Sequence, residues 1–248
     1  MPPDMSLLSG AILVAVAFIG SAITAGLGIG GGLTVLAALA SLGPAAAVIP
    51  VHGMVQLGSN IGRASVQRAH INWPITAYFI LGSLVGAAIG GNLVVQLPEN
   101  TLKNVLALFI LYAIWGPMRF GMSKIGPIML AVAGAISTFV TMFIGATGPF
   151  VISVLAPSLD DRRALIGTHS ACMIVQHTLK VLVFGLLGFS FGPWIPLLIA
   201  MVAAGYLGTL LGSRLLHWAP EVVFRKALKI ILSVLAANLL LSAAGVYA

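Results

Sequence analysis

The first long apolar segment of the chain, residues 8–41, is interrupted by Gly26-Leu27-Gly28-Ile29-Gly30-Gly31-Gly32. A second long segment, residues 126–156, contains Gly145-Ala146-Thr147-Gly148-Pro149. Glycine weakens a helix, and a proline inside a helix removes a backbone hydrogen bond. In lipid, the backbone groups freed in this way must be buried in protein or face a water-filled cavity. Two interrupted helices in corresponding places of two halves indicate a transport site, whereas glycines that merely allow close helix packing are the alternative.

The composition predicts that lipid is the solvent for most of the surface. Hydrophobic residues make up 60% of the chain and charged residues 7%, whereas a soluble domain carries about 25% charged residues. A spanning helix needs about 20 mainly apolar residues. On that criterion we predict an all-α polytopic membrane protein with about eight transmembrane helices. They fall at residues 8–41, 45–67, 73–96, 100–118, 126–156, 162–187, 194–216 and 222–246.

The charge balance favours a membrane topology over nucleic-acid binding. The chain has 12 Lys and Arg against 5 Asp and Glu, a net charge of +7. The basic residues lie in short gaps between apolar runs, where they hold loops on one side of a membrane. No basic residue precedes the first apolar run, so we expect a retained helix there rather than a signal peptide. The single cysteine, Cys172, supplies neither a disulfide nor a metal-ligand set, and we expect no metal and no cofactor.

The second half of the chain repeats the first. An offset of 117 residues (169 minus 52) pairs His52 with His169, and it also pairs Gly28 with Gly145, Gly31 with Gly148 and Arg63 with Lys180. We therefore predict two four-helix repeats, at 1–120 and 121–248, which together form one transmembrane domain. If every segment spans the membrane, the repeats are parallel, and if one segment per half is re-entrant, they are inverted. The sequence leaves both arrangements open.

Glycines with a four-residue spacing predict helix packing faces. Gly82, Gly86 and Gly90 recur in this way in the first half. Ala204, Gly208 and Gly212 do so in the second half. Small residues at this spacing let two helix backbones approach closely.

Charge inside the apolar segments is positive. The five acidic residues fall in loops or at segment ends, so a cation carrier or a carboxylate proton relay has no obvious place. Lys180, by contrast, lies deep in the sixth segment and has no acidic neighbour along its own helix. Because a lone buried ammonium is costly in hydrocarbon, a bound anion would supply the missing counter-charge. The alternative is a lysine that snorkels to the membrane interface.

Polar residues form a stripe on one helix of each half. In the first half they are His52, Gln56, Asn60 and Arg63, and in the second half they are His169, Gln176, His177 and Lys180. These spacings place each set on one helix face. A substrate path is favoured over hydrogen bonds that join helices. The histidines His52, His169 and His177 are the candidates for proton coupling because imidazole titrates near neutral pH.

The helix interruptions would add anion-binding groups. The second part of each interrupted helix, from near Gly31 and Gly148, would present free backbone N–H groups. A helix N-terminus favours anions through those donors and through its dipole. Thr147 would add a hydroxyl donor at the second interruption.

Several of these motifs resemble the sulfite exporter TauE/SafE family: the glycine-rich break, the second break with Thr147-Gly148-Pro149, Gly167-Thr168 before a polar helix face, and Lys180. The resemblance covers nearly the whole chain and includes the duplicated four-helix unit. It implies transport of sulfite, organosulfonates or related small anions. By this resemblance, the site comprises the two glycine breaks and the faces that bear Thr168, His169 and Lys180. Pro50-Val51 stands where the first-half counterpart of Gly167-Thr168 belongs, which weakens the case for a symmetric site.

Together these observations predict a secondary transporter, an exporter of a small anion, which binds at the repeat interface near the membrane midplane. We expect it in the inner membrane of a bacterium, not as an enzyme, with a small anion and the bilayer as partners and no nucleic acid. Homo-oligomerisation is left open. An anion channel, or a membrane-embedded enzyme, is the alternative. The predicted substrate-binding residues are Gly28, Gly30, Gly31, His52, Gln56, Asn60, Arg63, Thr147, Gly148, Thr168, His169, Gln176, His177 and Lys180.

Overall fold

The computed structural model describes residue 2 and residues 5–27, 30–93, 98–116, 126–215 and 221–246. Within these ranges the regular structure is helical, which confirms the all-α prediction. The α-helices are α1 (Leu7–Leu27), α2 (Gly31–Leu42), α3 (Ala45–Val66), α4 (Trp73–Leu93), α5 (Glu99–Trp115), α6 (Pro127–Ile144), α7 (Gly148–Leu155), α8 (Arg162–Leu186), α9 (Ile195–Leu215) and α10 (Glu221–Ala243). Short 3₁₀ helices are found at Arg68–His70, Ala156–Ser158 and Gly192–Trp194.

Five of the described helical segments are long and apolar enough to cross a membrane. They are Leu7–Gly26, Trp73–Leu93, Pro127–Ile144, Arg163–Leu186 and Gly192–Arg214. Large apolar side chains on these helices are exposed, as in Ile128 and Leu186, which are 80% and 88% exposed. Exposed apolar surface on this scale suits contact with lipid, and the chain is an integral membrane protein. The number of spans, predicted as eight, stays a prediction beyond these five.

Both predicted helix interruptions are present. The first apolar segment is divided into α1 and α2, and Gly30 between them has φ 105°. The second is divided into α6 and α7, and Gly145 between them has φ 90°. Backbone of positive φ suits glycine because a Cβ would clash with its own backbone there. Gly145 ends α6, whereas Gly30 immediately precedes α2. Gly28 lies outside the described residues.

The chain forms two compact units. The first comprises Met1–His52, Val95–Pro117 and Phe191–Ala248, and the second comprises Gly53–Val94 and Met118–Ser190. Helix α3 contributes its first residues to the first unit and the rest to the second. Each unit therefore draws on both halves of the sequence. The compact units group the helices differently from the sequence repeats at 1–120 and 121–248, and those repeats stay a prediction.

In the first unit, α1 packs closely against α9 through glycine. A Cβ added at Gly208 would overlap the carbonyl oxygen of Phe18, and one at Gly212 would overlap that of Ala22. The predicted packing face of α9 is thus confirmed at both of its glycines.

Helix α5 packs against α10 in the same unit, and Lys103 Nζ donates a hydrogen bond to Ser242 Oγ at 3.0 Å.

In the second unit, α4 packs against α6 in the same manner. A Cβ at Gly82 would overlap the carbonyl oxygen of Ala131, and one at Gly86 would overlap that of Ala135. Likewise, a Cβ added at Gly134 of α6 would overlap the carbonyl oxygen of Phe79 on α4. The two backbones are in direct contact along this line, which confirms the predicted packing face and holds α6 against α4.

Replacing a packing glycine by alanine is expected to destabilise the protein. In Gly86→Ala or Gly208→Ala, the new methyl meets backbone rather than a flexible side chain, so the helices must separate. We expect a loss of about 2–3 kcal/mol and a melting temperature lower by roughly 5–10 °C in detergent, measured by differential scanning fluorimetry. The control is Gly126→Ala, where an added Cβ meets nothing within 4 Å. Equal melting temperatures for Gly86→Ala and Gly126→Ala would contradict the close packing.

Candidate functional site

A polar cluster in the second unit surrounds the break between α6 and α7. Its central residue is Lys180 of α8, whose side chain is completely buried. Lys180 Nζ donates a hydrogen bond of 2.6 Å to the carbonyl oxygen of Gly145, the residue that ends α6. A carbonyl at the end of a helix has no partner within that helix. The ammonium group therefore satisfies a backbone acceptor that the break has exposed.

Gln176, one turn before Lys180 on α8, binds the break from the same side. Its amide Nε2 donates to the carbonyl oxygen of Ser137 at 2.7 Å and to Thr147 Oγ1 at 2.6 Å. Thr147 Oγ1 in turn donates to the Ser137 carbonyl at 3.3 Å. This triangle ties the residues between α6 and α7 to α6 itself.

His169, two turns before Gln176, contacts the start of α7. Its Nε2 lies 3.2 Å from the carbonyl oxygen of Gly148. Because a carbonyl only accepts, Nε2 carries the hydrogen in this bond. A Cβ at Gly148 would stand 3.6 Å from the same Nε2. The polar face of α8 thus follows the α6–α7 break from Gly148 through Thr147 to Gly145.

The cluster contains a basic side chain and, within the described residues, no acidic one. Lys180 forms no ion pair within the described ranges, and the exposed Asp160 and Asp161 lie before the start of α8, far from Lys180 along that helix. Asp161 Oδ2 instead accepts from the Ala164 N–H at 2.9 Å and caps that helix. A buried ammonium without a carboxylate leaves its charge uncompensated by protein. An anionic ligand would complete it.

Arg63 of α3 is a second buried cation in the same unit, with 4% of its surface exposed. Its guanidinium donates to Ser59 Oγ at 2.8 Å and to Asn60 Oδ1 at 2.9 Å. Asn60 Nδ2 donates to the carbonyl oxygen of Gln56 at 2.8 Å. The stripe on α3 is therefore linked residue to residue along its own helix.

The first unit holds the other break, which is bonded differently. The N–H of Gly31 donates to Thr24 Oγ1 at 3.1 Å, and Thr24 Oγ1 donates to the carbonyl oxygen of Gly20 at 3.0 Å. The expectation of a free N–H at Gly31 is therefore wrong, because the threonine one turn before the break caps α2. His52 Nε2 lies 3.0 Å from the Gly32 carbonyl oxygen, so here too a histidine contacts a carbonyl in the first turn of the following helix.

The structure places the predicted site residues in three groups. Thr147, Gly148, His169, Gln176 and Lys180 come together at the α6–α7 break. Gly30, Gly31 and His52 belong to the first unit, and Gln56, Asn60 and Arg63 belong to the α3 stripe. His177 is buried on α8, and Thr168 bonds elsewhere: its Oγ1 accepts from the Asn72 N–H at 2.9 Å, just before α4.

Three buried hydroxyl residues near the end of α6 are not among the predicted site residues. Ser137, Thr138 and Thr141 are buried in the last turns before the break. The hydroxyl groups of Thr138 and Thr141 have no hydrogen-bond partner in the part of the chain that the structure describes. Small hydroxyl residues are common in apolar helices, where they usually bond to their own backbone. The only sequence signal was their clustering just before a glycine break.

Comparison with known proteins places the chain among transporters. The family model described as sulfite exporter TauE/SafE matches residues 13–239. A relative named probable inner membrane transporter protein TsaS, from Comamonas testosteroni, is 28% identical over 171 residues, which is 65% of this chain and 70% of the relative. No solved structure matches the chain. Because the family match runs over most of the length, the protein belongs to the sulfite exporter TauE/SafE family of membrane transporters.

Proposed function

We propose that this protein is a secondary transporter that exports a small anion, such as sulfite or an organosulfonate, and binds it beside the α6–α7 break. The family name supports the anion class. The name of the Comamonas testosteroni relative supports a place in the inner membrane. Eight membrane crossings in two repeats belong to the same proposal.

The observation that carries this proposal is the environment of Lys180. Its side chain is completely buried, and within the described residues its one hydrogen bond goes to a neutral carbonyl, that of Gly145. An ammonium group can donate three hydrogen bonds. When Lys180 is protonated, two donors and a positive charge are therefore available to a ligand. A small anion satisfies both at once, whereas a cation would be repelled.

The break gives the ligand access to groups that an intact helix would hide. Gly145 and Thr147 are the cap residues of α6 and α7, and one backbone bond joins each to its helix: the Gly145 N–H donates to the Thr141 carbonyl oxygen, and the Thr147 carbonyl oxygen accepts from the Val151 N–H. Short segments of this kind absorb the changes in φ and ψ that gating requires. Exposure of the site to each side in turn would follow from local rearrangement at the break. His169, bonded to Gly148, is the histidine best placed to couple a proton to that movement.

Removal of the positive charge is expected to abolish transport. In proteoliposomes that carry Lys180→Met, we expect kcat/KM for the transported anion to fall by about 100-fold, since a charge-assisted bond contributes about 1.5–3 kcal/mol. The substrates offered are sulfite, sulfate, chloride and 2-hydroxyethanesulfonate, each measured as initial uptake. Lys180→Arg should retain part of the activity.

The matched control is Lys103→Met, because Lys103 is also partly buried and bonded to a hydroxyl group, in the first unit. We expect its transport to stay within a factor of about three of the wild type. Unchanged uptake in Lys180→Met would remove Lys180 from the site. Flux that does not saturate with substrate would replace the carrier by an anion channel.

The same variant is expected to fold at least as stably as the wild type. In this variant the desolvation cost of the buried charge disappears, and this gain offsets the loss of the hydrogen bond to the Gly145 carbonyl oxygen. We expect the melting temperature of Lys180→Met in detergent to be equal to that of the wild type or higher. A fall of more than about 5 °C would mean that Lys180 serves mainly to hold the break together.

A further inference from the structure

The amide of Gln176 has a fixed orientation in the cluster. Its Nε2 donates to the Ser137 carbonyl oxygen and to Thr147 Oγ1. A carbonyl oxygen only accepts, so the side of the amide that faces Ser137 must be the NH₂ group. Both N–H bonds are thereby used. The amide oxygen Oε1 points away from this pair, and it is an acceptor.

Gln176 Oε1 meets no donor among the residues that the structure describes, although the side chain is completely buried. A buried acceptor without a donor is unfavourable, and such groups are uncommon in folded proteins. None of the described residues supplies that hydrogen, so a ligand or a water molecule can supply it. Lys180, on the next turn of α8, has the opposite role, because its Nζ donates hydrogen bonds whereas Gln176 Oε1 accepts them.

Thr141 lies at the level between these two groups. Ser137, Thr141 and Gly145 follow one another at one-turn intervals on one side of α6. Gln176 bonds the first of their carbonyls and Lys180 the last. The usual acceptor for the Thr141 hydroxyl is the Ser137 carbonyl one turn back, but that oxygen already accepts from Gln176 and Thr147. The buried Thr141 hydroxyl is left without a partner among the described residues.

We propose that the site selects small anions that also carry one O–H or N–H group. The anionic oxygens face Lys180 and Thr141, and the hydrogen-bond donor of the ligand faces Gln176 Oε1. Hydrogensulfite and hydroxylated or amino sulfonates have this pattern, whereas sulfate and chloride offer acceptors alone at neutral pH. This inference rests on the proposed function and narrows its substrate class.

The physical basis is the penalty for a mismatched ligand. When an anion without a hydrogen-bond donor binds, Gln176 Oε1 remains buried and unpaired. Water, or a donor group on the ligand, would satisfy that oxygen. Sites built to bond a substrate hydroxyl strongly reject the analogue that lacks it. Because Gln176 is neutral, the selection here acts on one hydrogen bond, and we expect at least about tenfold discrimination.

The test compares two sulfonates of equal charge, ethanesulfonate and 2-hydroxyethanesulfonate, in proteoliposomes of the wild type. We expect the KM for 2-hydroxyethanesulfonate to be at least about tenfold lower. In Gln176→Met the two KM values should come within about twofold of each other. Thermal stabilisation of the detergent-purified protein by each sulfonate gives a second readout that does not depend on transport.

Thr141→Val separates the role of the hydroxyl group from that of Gln176. It should raise KM for both sulfonates by a similar factor, about tenfold, and leave their ratio unchanged. The matched control is Thr209→Val on α9, whose hydroxyl is also buried without a partner among the described residues. Thr209→Val should change neither KM nor the ratio. If Gln176→Met does not fold, the wild-type ratio and the two threonine variants still decide.

The outcomes distinguish a failure of this inference from a failure of the proposed function. Equal KM values for the two sulfonates in the wild type, with transport that still depends on Lys180, overturn the selection and leave the transporter standing. Transport of sulfate or chloride in preference to both sulfonates does the same. An unchanged KM in Thr141→Val removes Thr141 from the site. Absence of Lys180-dependent transport of any anion overturns the proposed function itself.

Discussion

A helix that ends inside a bilayer leaves backbone groups that no water satisfies, and the polar chemistry of this protein follows from that constraint. At the α6–α7 break, the carbonyl oxygens of Ser137, Gly145 and Gly148 each accept a hydrogen bond from α8. The donors are a glutamine, a lysine and a histidine on one face. The polar stripe of α8 is thus the structural complement of the break. The same side chains that bond to the backbone also provide the basic group and the unused hydrogen-bonding positions that a ligand would contact.

Close packing by glycine holds the helices that carry the breaks. Helix α6 is in backbone contact with α4 near Ala131 and Ala135, and its polar residues begin immediately afterwards, at Ser137. The first part of α6 is therefore closely packed against α4, and the end of α6 is polar. Helix α1 has a related construction, with close contacts to α9 at Phe18 and Ala22 and a break after Leu27. In each unit, a firmly held helix presents its interruption at a defined place.

The two breaks are alike in backbone conformation and different in chemistry. Gly30 and Gly145 share a positive φ, and each break has a histidine bonded to a carbonyl at the start of the following helix. At the first break, however, Thr24 caps the leading N–H of α2, and no lysine occupies the position that Lys180 holds at the second. Arg63, the counterpart of Lys180 in the predicted repeats, lies on α3 in the second unit, and the buried amino group of Lys180 is found at the second break. Because the described protein groups around that ammonium supply no negative charge, an anion is the ligand that its electrostatics favour.

The sequence by itself determined the helical class, both interruptions, the packing glycines and the position of Lys180 inside an apolar segment. These features are local: apolar length, glycine density and residue type at a given spacing are visible without any knowledge of contacts. Tertiary structure decided the partners. It joined Lys180 to Gly145 across 35 residues and Thr168 to Asn72 across 96. It also occupied the N–H of Gly31 and left the hydroxyl group of Thr141 without a partner among the described residues. Periodicity specifies which face of a helix is polar, but which donor meets which acceptor depends on how separate helices are brought together.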